Sequence, residues 1–307
     1  MPTTTRKQKK KSRAPAVDVL RVPSFTTFHW LAHGFSTRSG GVSKQYGGHA
    51  LNLGFTAHDT KAAVESNRRE FIAALTASSQ RKSRTSTVQP PPLLTLRQIH
   101  SDLIHRISEI PENNPPLAGD GMVTNVPRIM LGILTADCLP VIVVDPKRRA
   151  IGVFHAGWRG TAKRIVEKGV GEMHRWFGSS PRDLKAAIGP GIRGCCYEVG
   201  SEVRSAFEAQ FSYGSELFRE TKDRNEIHEK YPLLFMTSRA PGHSELPKKI
   251  FLDLAEANRR QLVAAGLPAK NISDLGFCTL CRQDMFFSHR GEKGVTGRMM
   301  TVVAIRA

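Results

Sequence analysis

Apolar residues recur along this chain in two rhythms, one at helical spacing and one as short unbroken runs. Helical spacing governs residues 60–77, where Ala63, Val64, Phe71, Ile72 and Leu75 recur. It returns at 161–177 through Ile165, Val166, Val170, Met173 and Phe177, and at 199–211 through Val199, Val203, Phe207 and Phe211. A fourth helix is predicted over 252–265, stopping at Gly266, a residue type favoured just past a helix end. The unbroken runs at 128–134, 140–145 and 150–154, each bounded by polar residues or Pro, predict strands, as do 185–188, 272–275 and 299–305. Order is expected to begin near residues 19–30. Residues 78–92 are rich in Ser, Thr, Arg and Pro and end in a triple proline, which reads as a loop inserted after the first helix. No repeat of 20–50 residues is seen, and no linker divides the pattern. The expectation is one compact domain over 18–307 of the α/β (mixed α+β) class, a mixed β-sheet flanked by helices.

Charge changes the picture at two places. The formal net charge is +18, and half of it sits in segments without acids: Arg6, Lys7, Lys9, Lys10, Lys11 and Arg13 within 1–17, and Arg81, Lys82 and Arg84 within 80–92. Such runs invite an acidic partner, but no aromatics interleave with them as in single-strand binders. They read as a disordered basic tail and a solvated loop, and nucleic acid is not expected. The most apolar region, 129–144, is broken by Asp137 and Pro140 and falls short of the roughly 18 residues a membrane helix needs. The N-terminus is polar without an apolar core for secretion. No membrane partner and a cytoplasmic location are therefore expected. The five cysteines, an odd number, then read as thiols or thiolate ligands.

Three stretches carry chemistry: Gln98, His100 and Ser101; Thr135, Asp137 and Cys138; and 155–160, which holds His155, Gly157 and Arg159. Each places a possible ligand beside a predicted strand end or turn. Two imidazoles and one thiolate, from His100, His155 and Cys138, suit Zn²⁺ and leave a fourth position open, as in catalytic sites. The spacings of 38 and 17 residues match no local zinc-finger pattern. A buried thiol with two hydrogen-bonded histidines explains the same residues. So does a Cys138 nucleophile with His155 or His100 as base. Three glycine-rich turns each hold an arginine (Arg38, Arg159 and Arg193), a pattern that favours anions. Cys278 and Cys281 have the spacing of half a zinc ribbon or a redox pair. Cys195 and Cys196 are adjacent and supply no matching half, so structural thiols are expected there.

In order along residues 29–306, the chain carries HGFSTR at 33–38, GGVS at 40–43, LNLG at 51–54, QIH at 98–100 and TADC at 135–138. HAGWRG at 155–160, IGPGI at 188–192, CYEV at 196–199, LDL at 252–254, CT at 278–279, FFS at 286–288 and TGR at 296–298 follow. This series resembles the YfiH family, whose members have been called laccase-domain or multicopper polyphenol oxidases and are now described as purine nucleoside phosphorylases. The resemblance implies zinc held by His100, Cys138 and His155. It also implies phosphorolysis of adenosine, inosine and methylthioadenosine, deamination of adenosine, and a fold related to the catalytic domain of cytotoxic necrotising factors. The family often has Gly or Asp where this chain has His58, and Ala where it has Gly in 119–124.

The expected partners are thus a purine nucleoside and phosphate, with the chain a monomer or a homodimer. Cys138, His155 and Asp137 are the expected catalytic residues, Asp137 as proton shuttle. Arg38, Arg159, Asn52 and Gly157 are expected to bind phosphate and nucleoside. Copper is the alternative metal, in a polyphenol oxidase. Against it, such oxidases need several copper sites, and the 11 histidines form no His-x-His pair. A cysteine-dependent hydrolase or amidase acting on cell-wall fragments is a further alternative.

Overall fold

Two large β-sheets lie face to face, each covered on its outer side by helices, in the computed structural model, which describes residues 16–77, 91–109, 116–222 and 248–306. The first sheet runs β1 (Val19–Leu20), β2 (Leu31–Ser36), β15 (Met299–Ile305), β7 (Met130–Thr135), β4 (Leu93–Thr95). The second runs β14 (Ile272–Asp274), β10 (Lys185–Ile188), β8 (Leu139–Asp145), β9 (Ala150–Ala156), β6 (Gly121–Thr124), β5 (Ile104–Arg106). A small third sheet joins β11 (Glu198–Val199), β13 (Lys248–Leu252) and β12 (Phe218–Lys222). The fifteenth strand, β3 (Ser39–Ser43), only bridges Ala50. Both large sheets mix parallel and antiparallel pairs. The single sheet expected from the sequence is therefore three. The basic tail lies almost wholly outside the described residues, as does most of the 78–92 loop.

Alternation explains why the central strands read as unbroken apolar runs. Along β8, Ile142 and Val144 point into the core between the sheets, while Val141 and Val143 point to the helices. Along β15, Val303 and Ile305 face the second sheet, while Met300, Val302 and Ala304 face the helix α1 (Lys61–Ala77) through Phe71 and Leu75. With both faces buried, successive side chains are apolar although they point in opposite directions. Among the described residues no helix is long and apolar enough to cross a membrane.

The helix expected over 161–177 is broken into α2 (Trp158–Ala162) and α3 (Ile165–Phe177), with Arg164 left-handed at φ +65° between them. The Thr161 carbonyl, which a continuous helix would bond to the Ile165 amide, accepts instead from the Arg164 amide at 2.9 Å and from the Gln261 side chain at 2.7 Å. Gln261 sits on α5 (Leu254–Ala264), whose start is capped by Asp253 accepting from the Glu256 amide. That cap moves the helix start past Leu252, which belongs to β13. The remaining helix, α4 (Ser201–Gln210), packs Val203 and Phe207 into the same outer core.

Register across the second sheet positions the site. Pro140 on β8 stands opposite His155 on β9, so Cys138, just before β8, comes beside the end of β9. Gly121 on β6 stands opposite Phe154, and Asp120, one residue earlier, receives the His155 amide at 2.7 Å.

Phe154 fixes how closely α3 approaches this sheet. A Cβ on Gly169 would lie 2.3 Å from its ring, and one on Gly121 or Gly152 would lie 2.8 Å away. Alanine in a helix interior normally gains about 1 kcal/mol over glycine. Overpacking costs about 1–3 kcal/mol, and the Phe154 ring, fully buried, has no room to yield. Gly169→Ala should therefore lower the denaturant midpoint despite its better helix propensity. A raised midpoint would show that the α3–β9 packing is looser than described.

Candidate metal centre and active site

His100, Cys138 and His155 each offer one ligand atom, and the three atoms lie within 4.8 Å of one another. His155 is buried at the end of β9, Cys138 is half-buried ahead of β8, and His100 is exposed on the loop before β5. The two imidazole rings meet edge to face with centroids 5.0 Å apart. A Cβ on Gly157 would lie 3.0 Å from the Cys138 sulfur and 3.3 Å from the His100 ring, so only glycine lets the backbone come this close. Two borderline nitrogen donors and one sulfur fit a tetrahedral divalent ion with one place left for a reactant.

Behind the cluster sits a residue that sequence reasoning did not single out. Asp120 is fully buried and accepts from His155 Nδ1 at 2.8 Å, from the amides of Ile99, His100 and Ser101 at 3.2, 3.1 and 2.6 Å, and from the Ser101 hydroxyl at 2.7 Å. Burial pushes its pKa up, but hydrogen bonds from His155 and Ser101 outweigh burial and hold it at about 2. The bond to Nδ1 leaves His155 Nε2 to face the cluster, the arrangement by which a carboxylate orients a metal-binding imidazole. Burial lowers the His155 pKa, while the facing Cys138 thiolate and Asp120 raise it more strongly. Burial raises the Cys138 thiol, yet His155 and His100 bring it below the ordinary thiol value. The sulfur is thereby held in the form that ligates metals.

Backbone strain collects here. His100 and Asp137 hold φ at +56° and +88°, a region that costs a non-glycine residue about 1–3 kcal/mol. The four-donor grip of Asp120 on residues 99–101 offsets the first. At Asp137 the carboxylate accepts from Thr279 Oγ1 at 2.6 Å, Ser288 Oγ at 2.8 Å and the Arg290 amide at 2.7 Å. With these donors in place, Asp137 ties the 279–290 segment to the strand end that carries Cys138.

The cluster opens into a cavity of about 810 Å³, within the range of small-molecule sites. Arg159, Arg290 and Arg298 line it, with Tyr197, His58 and His289. Arg290 and Arg298 donate to the Glu198, Thr296 and Gly297 carbonyls and keep their net charge. Arg159 lies over the Trp158 ring at 4.4 Å and, among the described residues, has no ion-pair partner. Among the described residues the only carboxylate lining the cavity is the Asp137 already described, so the field there favours anions.

Two expected anion binders lie elsewhere. Arg38 pairs with Glu292 at 3.0 Å and donates to the Gln283, Phe286 and Tyr46 carbonyls, which makes it a structural tie. Asn52 is fully buried, donating to Gly54 and Asp59 and accepting from the Gly54 and Arg298 amides. It shapes the 54–58 turn of the cavity wall without offering a free polar atom.

The family described as "Multi-copper polyphenol oxidoreductase laccase" matches residues 32–306. The purine nucleoside phosphorylase YlmD of Bacillus subtilis is 31% identical over 280 residues, 89% of this chain and 88% of that protein. The adenosine deaminase RL5, from an unknown prokaryotic organism, is 38% identical over 217 residues, 68% of this chain and 73% of that one. The crystal structure of Bacillus licheniformis hypothetical protein YfiH superposes with a TM-score of 0.75 at 29% identity, covering 95% of this chain and 97% of that one. A family match over most of the chain, with relatives and a solved structure agreeing along its length, shows that this chain belongs to the YfiH/laccase-like family.

Proposed function

We propose that this chain is a zinc-dependent purine nucleoside phosphorylase, taking adenosine, inosine and methylthioadenosine with phosphate, and that it also deaminates adenosine. One observation carries the reading: a His–Cys–His donor set opens onto a cavity whose charge comes from arginines, one of them without an ion-pair partner among the described residues. The names of the relatives, a purine nucleoside phosphorylase and an adenosine deaminase, support the purine nucleoside class and adenosine within it.

His100, Cys138 and His155 would hold a zinc ion, with Asp120 orienting His155, and the ion would supply Lewis acidity and lower the pKa of a reacting water toward neutral. Arg159 binds phosphate, with the Arg290 and Arg298 charges beside it. In phosphorolysis a phosphate oxygen bonds to ribose C1′ as the bond from C1′ to the purine nitrogen breaks. The base leaves with that electron pair and takes a proton, giving ribose-1-phosphate. Positive charge on the ribose ring during departure is stabilised by the bound phosphate, which the arginines keep in place. In deamination a water oxygen bonds to purine C6, one water proton goes to N1 and the other to the amino nitrogen, and the C6–N bond breaks to release ammonia and leave the C6 carbonyl.

The family description names copper, and the Cys138–His155 contact is also that of a thiolate nucleophile with its base. Among the described residues the groups able to hold a metal are this His–Cys–His set and a cluster of four cysteines, not the several histidine-rich sites of an oxygen-reducing copper enzyme. The purified protein, stripped of metal and reloaded with zinc, should form ribose-1-phosphate from adenosine only with phosphate, and ammonia without it. Arg159→Ala should cut phosphorolysis by roughly 10²-fold while most ammonia release survives. Copper-requiring phenol oxidation without nucleoside turnover would refute the reading, and so would nucleoside turnover indifferent to metal removal.

Asp120→Asn keeps a hydrogen-bond acceptor but loses the charge. Metal affinity should fall about 10–100-fold, measured by competition with a chelating dye. The folded pKa of about 2 lies below the ordinary 3.8, so the ionised carboxylate adds stability above pH 3.8 that is lost as pH falls through 2. Metal-free Asp120→Asn should therefore show a flatter acid limb of stability than the parent. Equal affinity and equal limbs would show that Asp120 does not support the site.

A further inference from the structure

We propose that Cys195, Cys196, Cys278 and Cys281 form a second metal site, a structural zinc tetrathiolate that clasps two loops beside the cavity. Their four sulfurs lie within 4.8 Å of one another, with 3.6 Å between Cys195 and Cys281 and 3.3 Å between Cys196 and Cys281. Four sulfurs about 2.3 Å from a tetrahedral zinc stand roughly 3.8 Å apart, so only small side-chain turns separate this cluster from a closed coordination shell. The sequence suggested that the adjacent pair had no partner. The fold supplies one 82–86 residues further along.

Backbone pairing makes that meeting obligatory. Gly191 bridges Cys278 in parallel, with the Gly191 amide on the Phe277 carbonyl at 3.3 Å and the Thr279 amide on the Gly191 carbonyl at 3.1 Å. Arg193 locks the join from the side with two bonds to Asp274, at 2.7 and 2.6 Å, and one to the Phe277 carbonyl. The Cys196 amide then turns back to the Arg193 carbonyl at 2.8 Å, which aims the Cys195–Cys196 turn at the Cys278–Cys281 turn. Cys278 is buried, Cys196 half-buried, and Cys195 and Cys281 exposed, which leaves an entry path for the ion. All four ligands come from protein, so no position is left for a reactant, as in structural zinc sites.

The clasp lies against the active cavity. Tyr197, a cavity residue, follows Cys196 directly, and Thr279, inside the Cys278–Cys281 turn, donates to Asp137 beside Cys138. The second ion is thus a positioning element for the wall on which Tyr197 and Arg290 stand. It does not depend on the reaction proposed above.

Elemental analysis of the full chain, purified under reducing conditions and supplied with zinc, should give about two zinc ions per chain. Cys138→Ala should keep about one, and so should the double variant Cys195→Ser/Cys281→Ser. Should the double variant not fold, Cys138→Ala decides alone: loaded with cobalt in place of zinc, it should show the visible bands and sulfur charge-transfer absorption of a tetrahedral all-thiolate site. Metal-free Cys138→Ala would overturn the proposal. A disulfide detected between Cys195 or Cys196 and Cys281 in the reduced preparation would overturn it as well, as would iron–sulfur absorption.

Discussion

The carboxylate of Asp120 is the point on which the site rests. It accepts five hydrogen bonds, four from residues 99–101 and one from His155, and so joins the loop carrying one candidate ligand to the strand carrying another. Buried without these donors, a charged carboxylate would cost several kcal/mol. With them it stays ionised, and its charge is felt by the imidazole it touches. The left-handed backbone of His100 persists because this grip overdetermines it. Remove the carboxylate and the loop, the ring orientation and the basicity of His155 all loosen together.

Around that point the fold divides the work. The β8–β9–β6 ladder supplies rigid geometry, since its register alone puts Asp120, His155 and Pro140 in one row across three strands. Loops supply the chemistry that faces the cavity: the 54–58 turn, the Trp158–Arg159 start of α2, and the 289–298 segment. Those loops are tied back by groups that resemble binding residues in type. Arg38 holds the 283–292 loop, Asn52 holds the 54–58 turn to Arg298, and Asp137 holds the 279–290 stretch. The cavity therefore keeps a positive field because most of its neighbouring polar groups are already spent on structure.

Much of this was legible in the sequence, for stated reasons. Doubly buried strands such as β8 and β15 announce themselves as apolar runs, and α1 and α3 by their spacing. His100, Cys138 and His155 stood out as metal-binding residue types beside predicted strand ends or turns, and the family resemblance implied zinc there. Sequence could not show direction or long-range partners. Arg38 beside two glycines looks like a phosphate grip until Glu292, 254 positions away, is seen to neutralise it. Asp120 between two glycines looks like a turn, and only the β6–β9 register reveals what it faces. At the break before Arg164 the Thr161 carbonyl is shared between the Arg164 amide and Gln261 of another helix, and the Cys195–Cys196 pair gains its counterpart through the loop pairing of Gly191 with Cys278.

The most direct test of the central claim is diffraction from crystals of the zinc-loaded, active protein on either side of the zinc absorption edge. An anomalous peak is expected about 2.0–2.1 Å from a ring nitrogen of His100 and from His155 Nε2, and about 2.3 Å from the Cys138 sulfur. Active crystals with no anomalous scatterer between those three side chains would contradict it.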